Sequence, residues 1–465
     1  MKSSLLIKNG HIWSAHDDYY ADIFICDGKI SAIGRGLEGY LSAAEVIDAS
    51  DLYVFPGGID AHTHMELPFM GTYAADDFES GTLAGLHGGT TAILDFAIQT
   101  QGDSLNSCIQ HWHEKAQGKA LSDYGFHCGV TDFNSETKKE IPQIMKQGIT
   151  SFKTFMAYKG ALMIDDAMMY SLMQEVRNLG GLVTVHAENG DIITKMTEEL
   201  LQEGHSTPKY HALAHTPAAE AEACARVMDL AHLSGANLYI VHTSCEEAVR
   251  RIQRNFCRDQ RVFVETCVQY LILDESLYEQ ADFHGAKYVL SPPLRKKADQ
   301  NVLWKSLQAG HIQTVATDHC PFNFCGQKDL GKDDFSKIPN GIAGIEHRLE
   351  LVFSEGVRKN RISMQRYIEV MCSHPANIFG MKNKGSIAIG KDADIVLFDP
   401  KQRHHIRQKT HHHNVDYSAY EGFEVQGKVK TVISNGMVVI RDEKVDQLEK
   451  GAGSFVPREP FPLGF

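Results

Sequence analysis

Apolar positions through the middle of the chain fall into short unbroken runs rather than alternating ones. Eight stand out, at residues 52–59, 91–96, 124–130, 151–155, 182–185, 238–241, 262–267 and 314–317. A strand that is apolar on both faces is buried on both faces, as in a parallel sheet covered by helices. The segments between carry apolar residues at mixed spacings of three and four, which predicts helices over 78–87, 164–179, 218–233 and 300–309. A ninth short run, 288–291, is read as part of the loop before the last strand. Eight strands alternating with helices predict an α/β chain folded as a (β/α)8 TIM-like barrel.

The pattern changes at both ends. Short strands are predicted at 5–7, 11–13, 22–26 and 29–33, punctuated by Asn9-Gly10 and Asp27-Gly28, dipeptides that favour the positive φ angles of tight hairpins. Matching strands lie at 393–398 and 429–440. Neither set closes a sheet alone, so residues 1–55 and 378–465 are expected to combine into a small β-sandwich domain with a C-terminal tail. The catalytic barrel is then 56–377.

Composition narrows the classes. At 465 residues, 43% hydrophobic and 23% charged, the chain can bury a large core. A formal net charge of −13 argues against a nucleic-acid surface. The N-terminal apolar stretch is too short for a signal peptide and no segment reads as a membrane span, which makes the expected compartment the cytoplasm. Ten cysteines in so long a chain read as reduced structural thiols, Cys320 and Cys325 included, rather than a disulfide framework or a metal pair. The histidines at 404, 405 and 411–413 read as a solvated loop with no carboxylate or cysteine ligand around them.

Catalytic groups of a barrel gather at the C-terminal ends of its strands. Those ends carry His62 and His64 after the first run, Lys153 in the fourth, His186 after the fifth, His242 after the sixth and Asp318 after the eighth. In extended backbone His62 and His64 leave the same face, where they can hold a metal. A single strand-end histidine is often only hydrogen-bonded, but so many ligand types on one rim point to one site.

The constellation resembles the amidohydrolase superfamily, and longer words narrow the resemblance to the dihydropyrimidinase and D-hydantoinase family. They are FPGGIDAHTH (55–64), TYAADDF (72–78), SFKTFMAYKG (151–160), HAENG (186–190) and TDHCPF (317–322). The resemblance implies two Zn2+ per subunit, with His62, His64 and Asp318 on one ion and His186 and His242 on the other. Lys153, modified to N6-carboxylysine, would bridge both together with a hydroxide. A carbamylated lysine offers an anionic group to two cations, whereas an ammonium there would be repelled; burial lowers the amine pKa and favours the modification.

The bridging hydroxide would attack the ring amide carbonyl, with Asp318 as general base and then acid. Tyr158 would donate a hydrogen bond to the developing oxyanion. By the same resemblance Ser291 and Asn340 hold a cyclic ureide, although each is also an ordinary turn residue before Pro292 and Gly341. The family also implies a homotetramer.

Dihydroorotases and allantoinases share this barrel and its metals. A carboxylated substrate calls for an arginine clamp, which the dihydroorotase family typically places two residues after the second histidine, and here Met65 and Glu66 follow. The segment 67–70, with Phe155 and Leu162, offers instead an apolar wall, Leu67 and Phe155 foremost, for the substituent outside the ureide. The expected reaction is ring opening of 5,6-dihydropyrimidines and 5-substituted hydantoins to N-carbamoyl amino acids. The alternatives are an allantoinase- or dihydroorotase-like enzyme and a non-enzymatic scaffold that has lost its ligands, the last opposed by six intact ligand positions.

Overall fold

The computed structural model describes residues 4–39, 41–257 and 259–462; the first three residues of the N-terminal segment lie outside them. The chain begins with β1 (Ser4–Trp13), β2 (Asp18–Cys26), β3 (Lys29–Gly34), β4 (Glu45–Asp48) and β5 (Tyr53–Pro56). Asp27 and Gly28, both at positive φ, turn β2 into β3 as their sequence predicts. Asn9-Gly10 does not turn the chain. It is a bulge inside the continuous strand β1, with Asn9 at φ 58° and the register against β2 shifting there.

The barrel starts at β6 (Gly58–Thr63). A two-stranded hairpin, β7 (Pro68–Phe69) and β8 (Thr72–Tyr73), follows. The remaining barrel strands are β9 (Thr90–Ile98), β10 (Asp123–Gly129), β11 (Ser151–Phe155), β12 (Leu182–His186), β13 (Asn237–Ile240), β14 (Val262–Cys267) and β15 (Thr314–Ala316). Neighbours pair in parallel from β6 through β15 in chain order. The apolar run at 52–59, read as one strand, is two. It breaks at Gly57, with 53–56 joining the terminal sheet and 58 onward entering the barrel, and close packing keeps that residue a glycine: an added Cβ would lie 2.0 Å from Thr91 Oγ1.

Side chains draw the first and last strands together. The guanidinium of buried Arg348 donates to the carbonyls of Ile59 and Val315, both at 2.9 Å, and Thr317 Oγ1 donates to Asp60 Oδ2 at 2.6 Å. Below the site, Ile59, Leu94, Leu182, Tyr239 and Phe379 fill the interior. Truncating Phe379, whose ring meets Tyr239 at 4.9 Å and His127 at 5.0 Å, would cost about 3–5 kcal/mol.

The predicted helices appear as Phe78–His87, Asp166–Asn178, Pro217–Ser234 and Lys297–Ala309. Local chemistry sets their limits. Asp77 and Ser80 cap the first reciprocally, and Thr216 caps the third ahead of Pro217, with Gly235 at φ 68° ending it. Among the described residues no helix is long and apolar enough to cross a membrane, and all ten cysteines are unpaired thiols.

The chain then returns to the terminal sheet through β16 (Ile395–His405), β17 (Glu424–Ser434), β18 (Met437–Arg441) and β19 (Lys444–Val445). Both ends of the chain thus share one mixed nine-stranded sheet, ordered β19-β18-β17-β16-β5-β1-β2-β3 with β4 beside β1. Lys384 ties it to the barrel, 2.7 Å from Asp123 and 2.6 Å from Asp394 and almost fully buried. Removing that lysine would strand two buried carboxylates, at about 3–5 kcal/mol. The C-terminal tail leaves the sheet and lies along the barrel: Ser454 O accepts from Tyr124 N, and Arg458 donates to Ser151 Oγ at 2.9 Å.

Candidate active site

Period-two geometry delivers the key side chains in pairs. His62 and His64 leave the end of β6 on one face, and Lys153 and Phe155 do the same in β11. His186 closes β12, while His242 and Asp318 lie two residues beyond β13 and β15. His242, Asp318 and Tyr158 all hold positive φ, at 38°, 52° and 65°. Such backbone costs of order 1 kcal/mol or more per residue and clusters at functional sites.

One cavity at this end of the barrel is lined by all the candidate ligands and catalytic residues, with most of the expected substrate contacts: His62, His64, Lys153, His186, His242, Asp318, Tyr158, Ser291, Asn340, Leu67 and Phe155. Asp318 Oδ1 lies 3.0 Å from His62 Nε2 and 3.1 Å from His64 Nε2. The rings of His186 and His242 stand 4.6 Å apart, and those of His62 and His242 5.4 Å. Lys153 is buried, with Nζ 4.9 Å from the centre of the Phe96 ring and 5.2 Å from that of Phe155.

Burial pushes Lys153 down to about 7 against the pull of Asp318 and Glu265, so much of its amine is neutral near pH 7. Burial likewise lowers His64 to about 4. At His62 burial opposes protonation, yet the carboxylates of Asp318 and Glu265 raise it to about 9. Burial acts the other way on Asp318, but His62 and His64 hold its carboxyl well below the usual range. The donors here are two imidazoles and a carboxylate whose ligand atoms lie within 4.8 Å of one another. His64 Nδ1 is moreover buried without a partner. This donor set suits a divalent cation.

Behind the histidines lie two carboxylates that the strand-end reading missed. Glu265 Oε1 accepts from His62 Nδ1 at 2.7 Å and from His242 N at 2.9 Å, while its Oε2 accepts from Tyr239 at 2.8 Å. Glu188 pairs with His186 Nε2 at 2.8 Å and His215 Nδ1 at 2.9 Å. Both were visible as signals: Glu265 is the one charge in the apolar run 262–267, and Glu188 falls two residues after His186.

The opposite wall is polar at one edge and apolar along the rest. Asn340 Nδ2 donates to Ser291 Oγ at 3.0 Å, and the Tyr158 hydroxyl meets both side chains; burial pushes that phenol far up, so it stays a donor. Gly341 closes this edge at φ 142°, with room for no Cβ beside the Cys320 carbonyl. Leu67, Phe69, Ile98, Phe155 and Leu162 form the apolar part. Pro68 and Met70, included in the expected wall, point outward instead and do not line the cavity. Among the described residues no arginine lines it either. Glu66 turns away to Lys119 at 3.2 Å.

One expectation is overturned. The histidines at 404, 405 and 411–413 are not a solvated loop: His404 and His405 end β16, with His404 Nε2 3.0 Å from Glu350, while His413 is buried, His411 and His412 are half-buried, and a carboxylate, Glu346, lies against them. The carboxylate was invisible because it sits 65 residues before His411 in the chain.

Residues 53–439 match the model of the amidohydrolase family. A D-hydantoinase from Geobacillus stearothermophilus is 48% identical over 98% of this chain and 97% of its own, and one from Streptomyces coelicolor is 47% identical over 98% of each. The crystal structure of a dihydropyrimidinase from Brevibacillus agri NCHU1002 superposes with a TM-score of 0.97 at 49% identity, over 99% of this chain and all of that one.

Proposed function

Because the chain belongs to the amidohydrolase family, and within it to the D-hydantoinase and dihydropyrimidinase group, we propose that it opens cyclic ureides by hydrolysing a ring amide C–N bond. The substrates are 5-substituted hydantoins and 5,6-dihydropyrimidines, and the products N-carbamoyl amino acids. The observation that carries this reading is the convergence of His62 and His64 on one oxygen of Asp318, in the cavity that Lys153, His186 and His242 also line.

His62, His64 and Asp318 would hold one zinc ion and His186 and His242 a second, with Lys153, as N6-carboxylysine, contributing to both. The lysine reaches that form when its neutral amine takes up CO2 and loses a proton, which its low pKa favours. When bound, the ions supply Lewis acidity and a water made acidic enough to serve as nucleophile at neutral pH.

The remaining work falls to side chains. Asp318 takes the proton of the attacking water and returns it to the departing ring nitrogen. Tyr158 donates to the carbonyl oxygen as it gains charge. Ser291 and Asn340, joined to each other and to Tyr158, orient the ureide, and the apolar wall meets whatever substituent lies outside it. Among the described residues no arginine is there to clamp a dihydroorotate carboxylate.

The reading includes residues 1–55 with 378–465 as one unit beside the barrel at 56–377, a cytoplasmic setting in keeping with ten free thiols, and a homotetramer. The experiment that tests it is incubation of metal-loaded enzyme with dihydrouracil and 5-phenylhydantoin, with detection of the N-carbamoyl acids. Turnover of neither would overturn it.

A further inference from the structure

A second group of ligand-type side chains lies outside the cavity. It combines residues that follow the last barrel strand with a segment that returns from the terminal sheet. One ligand atom each from Glu346, His411 and His413 lie within 4.8 Å of one another, the same closeness as in the group formed by His62, His64 and Asp318. Ring spacings match as well: 5.1 Å for His411 with His413 and 5.6 Å, edge-on, for His347 with His413, against 5.2 Å for His62 with His64.

We propose that Glu346, His411 and His413, with His347 beside them, form a further metal site that takes a divalent transition ion such as Zn2+. Two imidazoles and a carboxylate are a donor set for such ions, with a position left for water or for a fourth side chain.

Several features of the cluster prepare it for that role. His347 is buried and its Nε2 has no hydrogen-bond partner; His411 Nε2 is likewise buried and unpartnered. Polar atoms without partners are uncommon in a packed interior, so the protein alone does not satisfy these rings. His413 N donates to His411 Nδ1 at 3.0 Å and Glu346 N to His413 Nε2 at 3.3 Å, which assigns a lone pair to each of those two nitrogens. To hold an ion, His411, whose ring is only half-buried, and His413 would each turn that lone pair from its backbone N–H to the metal. The carboxylate of Glu346 is already fixed, by His412 Nδ1 at 2.9 Å and His412 N at 2.6 Å, and the His412 ring stacks on His87 at 3.4 Å. This is the outer support that metal ligands ordinarily have.

An ion here would clamp two parts of the chain. Glu346 and His347 follow Gly344, whose N–H donates to His319 Nδ1, and Asn414 N donates to Asp76, the partner of His319 Nε2. The segment at 411–414 is thereby fixed beside the loop that carries Asp318, without any of the three ligands reaching the cavity.

The test counts zinc in tag-free enzyme. Wild type and the His411→Ala/His413→Ala double variant are saturated with ZnCl2, freed of excess by gel filtration and analysed by plasma mass spectrometry. The expected result is about one ion fewer per chain in the double variant, with ring-opening activity kept within about twofold. The comparison holds whatever number of ions the cavity binds, so it stands apart from the proposed activity. Equal counts would overturn the proposal. Should the double variant not fold, His411→Ala alone decides: adding micromolar zinc to zinc-depleted, refilled enzyme should raise the melting temperature of wild type more than that of the variant, and an equal rise would again overturn it.

Discussion

Glu265 Oε1 sits 2.7 Å from His62 Nδ1 and also takes the backbone N–H of His242, so one buried carboxylate sets the position of two histidines drawn from different strands. It turns the His62 Nε2 lone pair into the cavity and makes that ring a stronger donor. Glu265→Gln keeps the shape but loses the charge. Metal affinity should fall by about 10- to 100-fold, read as loss of metal to a competing chelator, and KM for substrate should change little. Unaltered metal retention would remove Glu265 from this role.

Tyr158 is held at φ 65° with its hydroxyl against Ser291 and Asn340. Tyr158→Phe deletes a single donor and leaves the ligands alone. We expect kcat to drop roughly 10²- to 10³-fold at constant metal content. A variant with wild-type kcat would show that the oxyanion is stabilised elsewhere.

Selectivity should divide along the cavity. Phe155→Ala or Leu67→Ala trims the apolar wall, and preference among 5-substituted hydantoins should shift by about 1–3 kcal/mol in kcat/KM. Dihydroorotate should be hydrolysed negligibly, because no arginine lines the cavity among the described residues. Comparable rates for dihydroorotate and dihydrouracil would contradict this division.

Stability has its own pH signature away from the site. Burial penalises the Glu350 carboxylate, but Lys428 at 3.2 Å and His404 at 3.0 Å bring it from 4.5 down to about 2. A folded-state value below the unfolded one means the stabilisation is complete above pH 4.5 and is lost as pH falls toward 2. The shift corresponds to about 3 kcal/mol. Denaturant unfolding between pH 5 and 2 should therefore show a steeper loss in wild type than in Glu350→Gln, and parallel curves would dismiss the linkage.

What could be read from the chain follows from where each signal resides. Strand-end ligands are local in sequence: His-x-His on β6, a lysine inside an apolar run, an Asp after the last strand. The barrel was legible for the same reason, since buried parallel strands leave unbroken apolar runs. The division at Gly57 was not legible, because the N–H groups of Gly57 and Gly58 turn to Asp394 and Gly89, partners met only in the folded chain. Glu265 acts through contacts to residues that other strands bring near, and Glu188 joins its sequence neighbour His186 to the distant His215. The histidines at 411–413 looked solvated because Glu346 reaches them only through the return of the chain to the terminal sheet.

The central claim is that Lys153 works as a ligand shared by two ions. Its most direct test is metal content measured together with hydantoin hydrolysis in wild type and Lys153→Ala. Wild type should carry about two ions in the cavity, and the variant should lose both metal and turnover, with partial return of activity when short-chain carboxylates are added. A Lys153→Ala protein that keeps its metal and hydrolyses hydantoins at the wild-type rate would contradict the account.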